Sequence, residues 1–567
     1  MKKRILIFAL FEVLLIAIAS PAYASVEEWN SLNVEFQNLY QQGKHDRAMA
    51  IARKILEIAE KEFGPEHPNV ASSLNNLAVL YVAQEKLTLA EPLYKRSLAI
   101  DEKAFGPAHA YVATDLNNLA DLYRAQGQYV LAEPLYRRAL EIDEKTLGPA
   151  HPDVATDLNN LAEMHRSQGQ FAQAEPLYRR ALAIKEKTLG PEHPDVAKIY
   201  NILAEVYRNQ GDYTQAEPLY ERALAIAEKT LGPDNPNLAS SLNNLAVLYD
   251  AHGKYKQAEP LYKRSLAIKE KSLGPNHPDV AQNLNNLADL YRTQFQYELA
   301  EPLYMRSLAI KEKALGPNHP DVAQILNSLA DLYNAQGKNT LAEQFYQRSL
   351  AIKEKALGPD HPDVASILNN LAVLYGAQDK FKQAEPLFKR SLAIKEKTLG
   401  PDHPDIATIL NNLARLYYAE GDYTHTELLF NRSLAITEKA FGPDHPNVAQ
   451  CLTNLAELYR TQAQYAKSEP LYKRSLAIRE KALGPDHLDV AITLNYLGEQ
   501  YYTQRQYAQA EPLYKRSLAI REKALGPNHA SLFHILANIA DLYQKTGQKK
   551  IAEEYYRRAS AIKAFKR

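Results

Sequence analysis

The chain has 567 residues with 67 basic side chains against 67 acidic ones. It therefore lacks the positive field that binding to a phosphate backbone requires, and no nucleic-acid partner is expected. Its only cysteine is Cys451, so no disulfide can form within the chain and the fold must be held by packing.

Residues 1–24 read as a signal peptide. Lys2, Lys3 and Arg4 precede the apolar stretch Ile5 to Ala19, and Ala22-Tyr23-Ala24 has the small-x-small form of a cleavage site, placing a mature start near Ser25. This predicts export, to the periplasm or the extracellular space. Glu12 interrupts the apolar run, and an uncleaved amino-terminal anchor is the alternative. No later window holds the roughly 18 consecutive apolar residues of a membrane span.

A first helix pair is expected over 25–63. From Gly64-Pro65 onward the dipeptide Gly-Pro recurs every 42 residues to Gly526-Pro527, without insertion or deletion, giving eleven repeats over 64–525 and a last pair over 526–567. A fixed period of this length outranks any domain count drawn from chain length. In the unit that starts at Gly232, apolar or small residues at Leu238, Leu242, Leu245, Ala246 and Tyr249 have the spacing of one buried helix face, which predicts helix A over 238–249. Gly253 breaks the pattern. Helix B follows over 255–273, with Tyr255, Ala258, Leu261, Tyr262, Ser265, Leu266 and Ile268 inward. Gly274 suits a left-handed helix end, and Pro278 with Asp279 suits the first turn of the next helix. Pro260 falls near the start of helix B, where its missing donor costs little. Helices alternating with short turns, and no strand pattern, specify an all-α solenoid in which each pair completes its core against its neighbours.

Leu242, Leu245, Ala246, Tyr249, Ala258, Tyr262 and Ser265 match the tetratricopeptide repeat pattern. The 42-residue period and the phrase Leu-Asn-Asn-Leu-Ala-x-Leu-Tyr resemble kinesin light chains and their bacterial relatives. The resemblance covers nearly all of Val26 to Phe565, with departures at His165, Gln344, Leu428, Glu554 and Glu35. It implies a right-handed superhelix of about thirteen antiparallel helix pairs, the pairs at Val26–Phe63 and Ala530–Phe565 capping its ends.

Of the 36 tyrosines, 28 lie in the columns of Tyr249, Tyr262 and Tyr255, and are read as packing material. Histidine follows Gly-Pro-x in most turns, as at His277, with Asp279 nearby. Zinc ligands must all lie about 2.0–2.2 Å from one ion, whereas stacked helices are about 8–10 Å apart, so these residues are assigned to turns and caps. Ser265 and its equivalents fill the small inward position of helix B. No nucleophile elbow, phosphate-cradling loop, paired-cysteine motif or His-Glu-x-x-His is present. No enzyme activity, metal or cofactor is expected. Glutamate at the position of Glu259 and arginine at that of Arg264 recur together in every helix B from Glu91 and Arg96 to Glu553 and Arg558, and are read as pairs within or between repeats.

Binding residues should be outward and, for specificity, variable. The column of Asn243 holds asparagine at Asn75, Asn117, Asn159, Asn201, Asn243, Asn285, Asn327, Asn369, Asn411 and Asn495, whose amides can donate and accept. The resemblance implies that this face of helix A lines a concave groove and that these asparagines contact the backbone of a bound peptide; bridging between adjacent helices is the alternative. One turn on, the column of Val79, Asp121, Glu163, Glu205, Val247, Asp289, Asp331, Val373, Arg415, Glu457, Glu499 and Asp541 varies, as does the next, with Arg124, Arg166, Arg208, Asp250, Arg292, Gly376, Tyr418, Arg460 and Tyr502. Asp121 with Arg124, and Glu163 with Arg166, can neutralise each other three residues apart. Arg415 beside Tyr417 and Tyr418 has no such acid and is the candidate for an acidic ligand group. The chain is thus expected to be an exported protein-interaction scaffold binding a protein or peptide. A passive envelope spacer is the alternative. The charged last pair, with Lys549, Lys550, Arg557, Arg558, Lys563, Lys566 and Arg567, argues for a monomer.

Overall fold

The computed structural model describes residues 21–84 and 86–564, and every regular element among them is a helix, twenty-six in all. The basic start and apolar run of the expected signal peptide lie outside the described residues, as do Phe565, Lys566 and Arg567; Ala22-Tyr23-Ala24 falls in the first turns of the first helix, Pro21–Gln41. The chain divides into two compact units, Met1–Leu161 and Ala162–Arg567.

In the second unit, the pair formed by helix A at Pro236–Ala251 and helix B at Tyr255–Leu273 shows how the repeat is built. Leu238, Leu242, Leu245, Ala246 and Tyr249 of helix A are buried against Ala258, Tyr262, Ser265 and Ile268 of helix B, while Tyr255, Leu261 and Leu266 are covered in part. In most pairs a buried serine hydroxyl donates to a carbonyl of helix A, as Ser265 Oγ does to Ala239 O at 2.6 Å, Ser307 to Ala281 at 2.8 Å, and Ser391 to Ala365 at 2.7 Å. A small residue is required there because the helices approach closely, and a bare hydroxyl so deeply enclosed would be costly without its acceptor.

The A-to-B turn ends helix A in a Schellman arrangement: Lys254 N donates to Tyr249 O at 2.7 Å and Gly253 N to Asp250 O at 2.9 Å, with Gly253 at φ +69°. Non-glycine residues occupy this place elsewhere, as Phe295, Asp379, Ala463 and Arg505 at φ +57° to +61°. At the B-to-A turn the structure differs from the expectation. Gly274 lies at φ 90°, ψ 153°, outside the left-handed helical region and within one that only glycine enters readily. Three residues on, His277 caps the next helix, its Nδ1 accepting from Asp279 N at 3.1 Å, with Pro278 in the first turn. Pro260 also corrects the sequence reading. It is the sixth residue of its helix, beyond the first turn, so the Lys256 carbonyl lacks a backbone donor and the pyrrolidine presses on that turn.

Neighbouring pairs are stitched by polar contacts. Tyr291 donates to Glu259 Oε1 of the preceding helix B at 2.9 Å, and Arg264 reaches Glu228 of the preceding helix B at 2.8 Å. The recurring glutamate and arginine therefore serve different neighbours rather than each other, and exposed pairs of this kind contribute about 0–1 kcal/mol each. In the first unit, Leu32, Phe36 and Leu39 pack on Ala48, Ala52 and Ile55, with Trp29 edge-on to Phe63. Glu35, at a position that is Leu77 one repeat later, is exposed.

A pair of substitutions separates the two turn geometries. An added Cβ meets nothing within 4 Å at either Gly337 (φ +74°) or Gly358 (φ +89°), so only backbone strain distinguishes them. Gly358→Ala is expected to cost about 1–3 kcal/mol and Gly337→Ala roughly 1 kcal/mol, measured by denaturant unfolding. Equal losses would contradict this account of the Gly-Pro spacing.

Candidate functional site

Helices A of successive pairs lie side by side in the second unit, whereas successive helices B are joined through long side chains such as Arg264 and Glu228. The A helices therefore line the inner side of the stack, and the asparagine column lies along it. Those asparagines are engaged with one another. In five pairs the asparagine that follows the column position donates back to the column asparagine of the preceding pair: Asn286 Nδ2 to Asn243 Oδ1 at 2.9 Å, Asn370 to Asn327 at 3.2 Å, Asn412 to Asn369 at 3.1 Å, Asn454 to Asn411 at 3.4 Å and Asn538 to Asn495 at 3.1 Å. Their own amides turn to Asp289 (Asn285, 2.9 Å), Asp331 (Asn327, 3.4 Å), Ser433 (Asn411, 2.7 Å), Glu499 (Asn495, 2.7 Å) and the Ala197 carbonyl (Asn201, 3.0 Å). The side-chain oxygens of Asn201 and Asn285 are buried without a partner. In the first unit Asn75 donates to Asp115, Asn117 to Asp157 at 2.6 Å, and the Asn159 oxygen is buried without a partner. The second asparagine of the dipeptide was the missed member of this ladder, although it was visible in the repeat.

One turn on, acid, arginine and a helix B tyrosine form a recurring cluster. Asp289 accepts from Tyr304 Oη at 2.6 Å and from Arg292 at 3.2 Å. Glu163 accepts from Tyr178 at 2.8 Å and Arg166 at 2.7 Å, and Arg166 also reaches Glu205 at 3.2 Å. Glu457 accepts from Tyr472 at 2.7 Å and from Arg460, and Asp331 from Tyr346. In the first unit Asp121 takes Tyr136 at 2.7 Å and Arg124 at 3.0 Å. The hydrogen bond that Arg166 donates to Glu163 holds its guanidinium charged against burial, while burial, followed by the adjacent Asp289 carboxylate, keeps the Tyr304 hydroxyl protonated. Arg208 reaches Tyr220 in the same way, although its Nε is buried without a partner.

Two adjacent repeats lose acid, arginine and tyrosine from these positions together. In helix A at Pro362–Gly376 the acid and arginine positions are Val373 and Gly376, and in helix A at Pro404–Glu420 they are Arg415 and Tyr418. The helix B ring opposite each is phenylalanine, Phe388 and Phe430, both buried. Acid and hydroxyl are lost together here, at the only two phenylalanines in the twelve-residue column, whereas Tyr94 and Tyr262 keep the hydroxyl opposite Val79 and Val247. Arg415 is exposed, with no carboxylate in ion-pair reach among the described residues. Tyr496 feels its charge. Tyr418 Oη lies 2.6 Å from Thr461 Oγ1, and Val373 is 36% exposed.

Among the described residues no group of three potential ligands could hold a metal, and the turn histidines commit Nδ1 to helix caps. Cys451 is buried, its sulfur accepting from Asn411 at 3.3 Å.

A sequence model described as tetratricopeptide repeat matches eleven segments, from 37–103 to 489–564. The chain belongs to the tetratricopeptide repeat family. No curated protein sequence matches it. Among solved structures it is similar to a Podosopora anserina putative kinesin light chain with nearly identical TPR-like repeats, at 31% identity over 36% of this chain and 98% of that one, with a TM-score of 0.34. It is similar also to BtubC (BKLC) from P. vanneervenii, at 25% identity over 41% of this chain and 91% of that one, with a TM-score of 0.33.

The tetratricopeptide array carries one feature that its consensus does not explain. In the first unit Asp101 faces Asp115 across a pair boundary, and Asp143 faces Asp157, all four being buried. Burial raises Asp101 to about 6. Burial outweighs the hydrogen bond from Asn75 at Asp115, and with the charge of Asp101 lifts it to about 7. Folded-state values above the ordinary carboxylate range mean that the penalty is fully present above about pH 7 and is relieved as pH falls towards 4. Asn283 occupies the equivalent place in the second unit, donating to Ser265 at 2.5 Å. Asp115→Asn should therefore stabilise the first unit by roughly 1–3 kcal/mol at pH 7.5 and by little at pH 4.5. Hydrogen exchange across residues 95–120 at the two pH values would read this out, and a gain that does not vary with pH would refute the assignment.

Proposed function

We propose that this tetratricopeptide protein is an exported scaffold that binds an extended protein or peptide segment carrying an acidic group. The inner face of the second unit is the proposed site, centred on Arg415, Tyr418, Val373 and Gly376. The family supports the coarser part, since its repeats typically mediate protein–protein interaction and are generally non-catalytic. One observation carries the finer part: Arg415 stands exposed and unpaired in a column whose carboxylates are each engaged by a tyrosine, an asparagine or an arginine, as Asp541 is by Tyr556, Glu499 by Asn495 and Glu205 by Arg166. An arginine fork of this kind suits a carboxylate, and Val373 beside it offers an apolar contact. The asparagine ladder gives the flanking surface amide character suited to a peptide backbone.

The passive-spacer reading draws on a different observation, that the ladder asparagines already bond to one another. Selecting a displayed peptide library on the mature chain separates the two. Selected peptides should carry an acidic residue, and Arg415→Ala should weaken them by about 1–3 kcal/mol. The effect of Asn327→Ala with Asn369→Ala should fall on the melting temperature at least as much as on affinity. A library yielding nothing above background, or peptides indifferent to Arg415→Ala, would favour the spacer.

Export rests on Lys2 to Ala24. Amino-terminal sequencing of protein expressed in a bacterial host should begin at or near Ser25. Intact Met1 in the cytoplasm would remove the assignment.

A further inference from the structure

Within the second unit, turns that are far apart in the chain meet along a seam. His445 Nε2 lies 2.9 Å from Asn209 O, 236 residues away, while its Nδ1 accepts from Asn447 N at 3.0 Å, so Nε2 carries the proton and donates. The same offset recurs on either side. Gly169 abuts Pro404, Gly211 abuts Pro446 and His445, and Gly253 abuts His487. A Cβ at Gly169 or Gly253 would come to 2.9 Å from these neighbours, and one at Gly211 would come closer still. Phe171 stacks on Phe441 at 5.9 Å, and Phe295, which replaces the turn glycine, meets His529 at 5.1 Å. Each contact joins an A-to-B turn to a B-to-A turn, so it arises only because the stack curls round and returns to its own edge. Beside His252 and His487 the seam leaves a cavity of about 220 Å³, so it is a line of discrete contacts rather than a continuous core.

We propose that this seam is a clasp that holds the coil of the second unit shut and that acid releases. The closed seam buries His445 and half-buries four more histidines, an environment that favours the neutral form. Burial pushes His445 down to about 4 against the hydrogen bond to the Asn209 carbonyl. Burial also lowers His403, which faces Asp405, Lys395 and the Ser167 backbone; His487, which faces Asp489 and Arg479; His252, which faces Lys254, Glu217, His487 and the Leu483 backbone; and His529. Asp212 and Lys481 also face each other across it. A histidine whose closed-state value lies below its open-state value leaves closure intact above about pH 6.5. It weakens closure progressively as pH falls towards 4, by up to roughly a hundredfold in the open-to-closed ratio for His445 alone. Only one consequence rests on the groove reading: a shut seam denies side-on access to the inner face.

The test uses the full chain and needs no ligand. Gly211→Ala places a methyl group into Pro446, whereas Gly337→Ala places one at the same point of the repeat, at nearly the same φ, with no atom within 4 Å. Small-angle scattering at pH 7.5 should give Gly211→Ala a larger radius of gyration than Gly337→Ala, with equal helical circular dichroism. Equal radii would overturn the clasp. The wild-type radius should grow between pH 7.5 and 4.5 at constant helicity. His445→Asn, which keeps a cap of the kind Asn235 provides to Asn237 N at 2.9 Å, should shift that growth. A wild-type radius that does not change while the helices hold would overturn acid release. If acid unfolds the chain instead, acid release is likewise overturned, and the glycine pair alone decides the clasp.

Discussion

A helix pair of this sequence cannot cover its own apolar face, and that constraint organises the rest of the structure. Tyr262 and Leu245 are buried because a second pair lies against the first, so each unit's stability is shared with its neighbours. One inserted residue would rotate all that follows it in a helix by about 100°, carrying the tyrosine, serine and alanine columns off the interface together. The absence of any insertion across the Gly-Pro spacing is what such a penalty produces. The turn glycine tightens the constraint: at φ near +89° and ψ near 156° the backbone admits no ordinary side chain.

The parts of the fold that depend on local periodicity were legible. Helix B of the unit starting at Gly232 was placed at the residues where it stands, because Gly253 and Gly274 bracket it. The conformation of Gly274 was not legible, since glycine serves both the left-handed region and the one it occupies, and sequence cannot separate them. Pro260 was read as nearly free of cost although the same boundaries make it the sixth residue of its helix, past the donors that lack intrahelical partners. The seam could not be read at all: contacts between Asn209 and His445 depend on the curvature of the stack, which accumulates from small rotations between pairs and leaves no mark in a 42-residue pattern.

Repeats that share a fold are not interchangeable at their junctions. Where helix B carries Lys311, Lys353 or Lys395, the facing helix A carries Ile325, Ile367 or Ile409, and the lysine bends to Asp321, Asp363 or Asp405 at 2.7–2.8 Å. Where it carries Arg479, the facing residue is Thr493, which accepts from the guanidinium at 2.7 Å. The first unit instead sets Asp101 against Asp115. Each junction is satisfied as a pair, or burdened as a pair, so an isolated change at either position exposes or buries a charge.

The same pairing logic explains how a binding site can arise in so regular an array. In most repeats the inner face is closed chemically, because a carboxylate such as Asp289 is consumed by Tyr304 and Arg292 and has little left for a ligand. Removing the acid alone, as at Val247 opposite Tyr262, takes the carboxylate from the tyrosine hydroxyl, and a buried hydroxyl left without an acceptor costs about 1–3 kcal/mol. The two repeats at Val373 and Arg415 avoid that cost by replacing the tyrosine with Phe388 and Phe430. The vacated face then holds a valine, a glycine and an arginine whose charge is not spent internally. The proposed site lies where the repeat's own hydrogen bonding has been withdrawn, and the phenylalanine substitutions in the core mark the place.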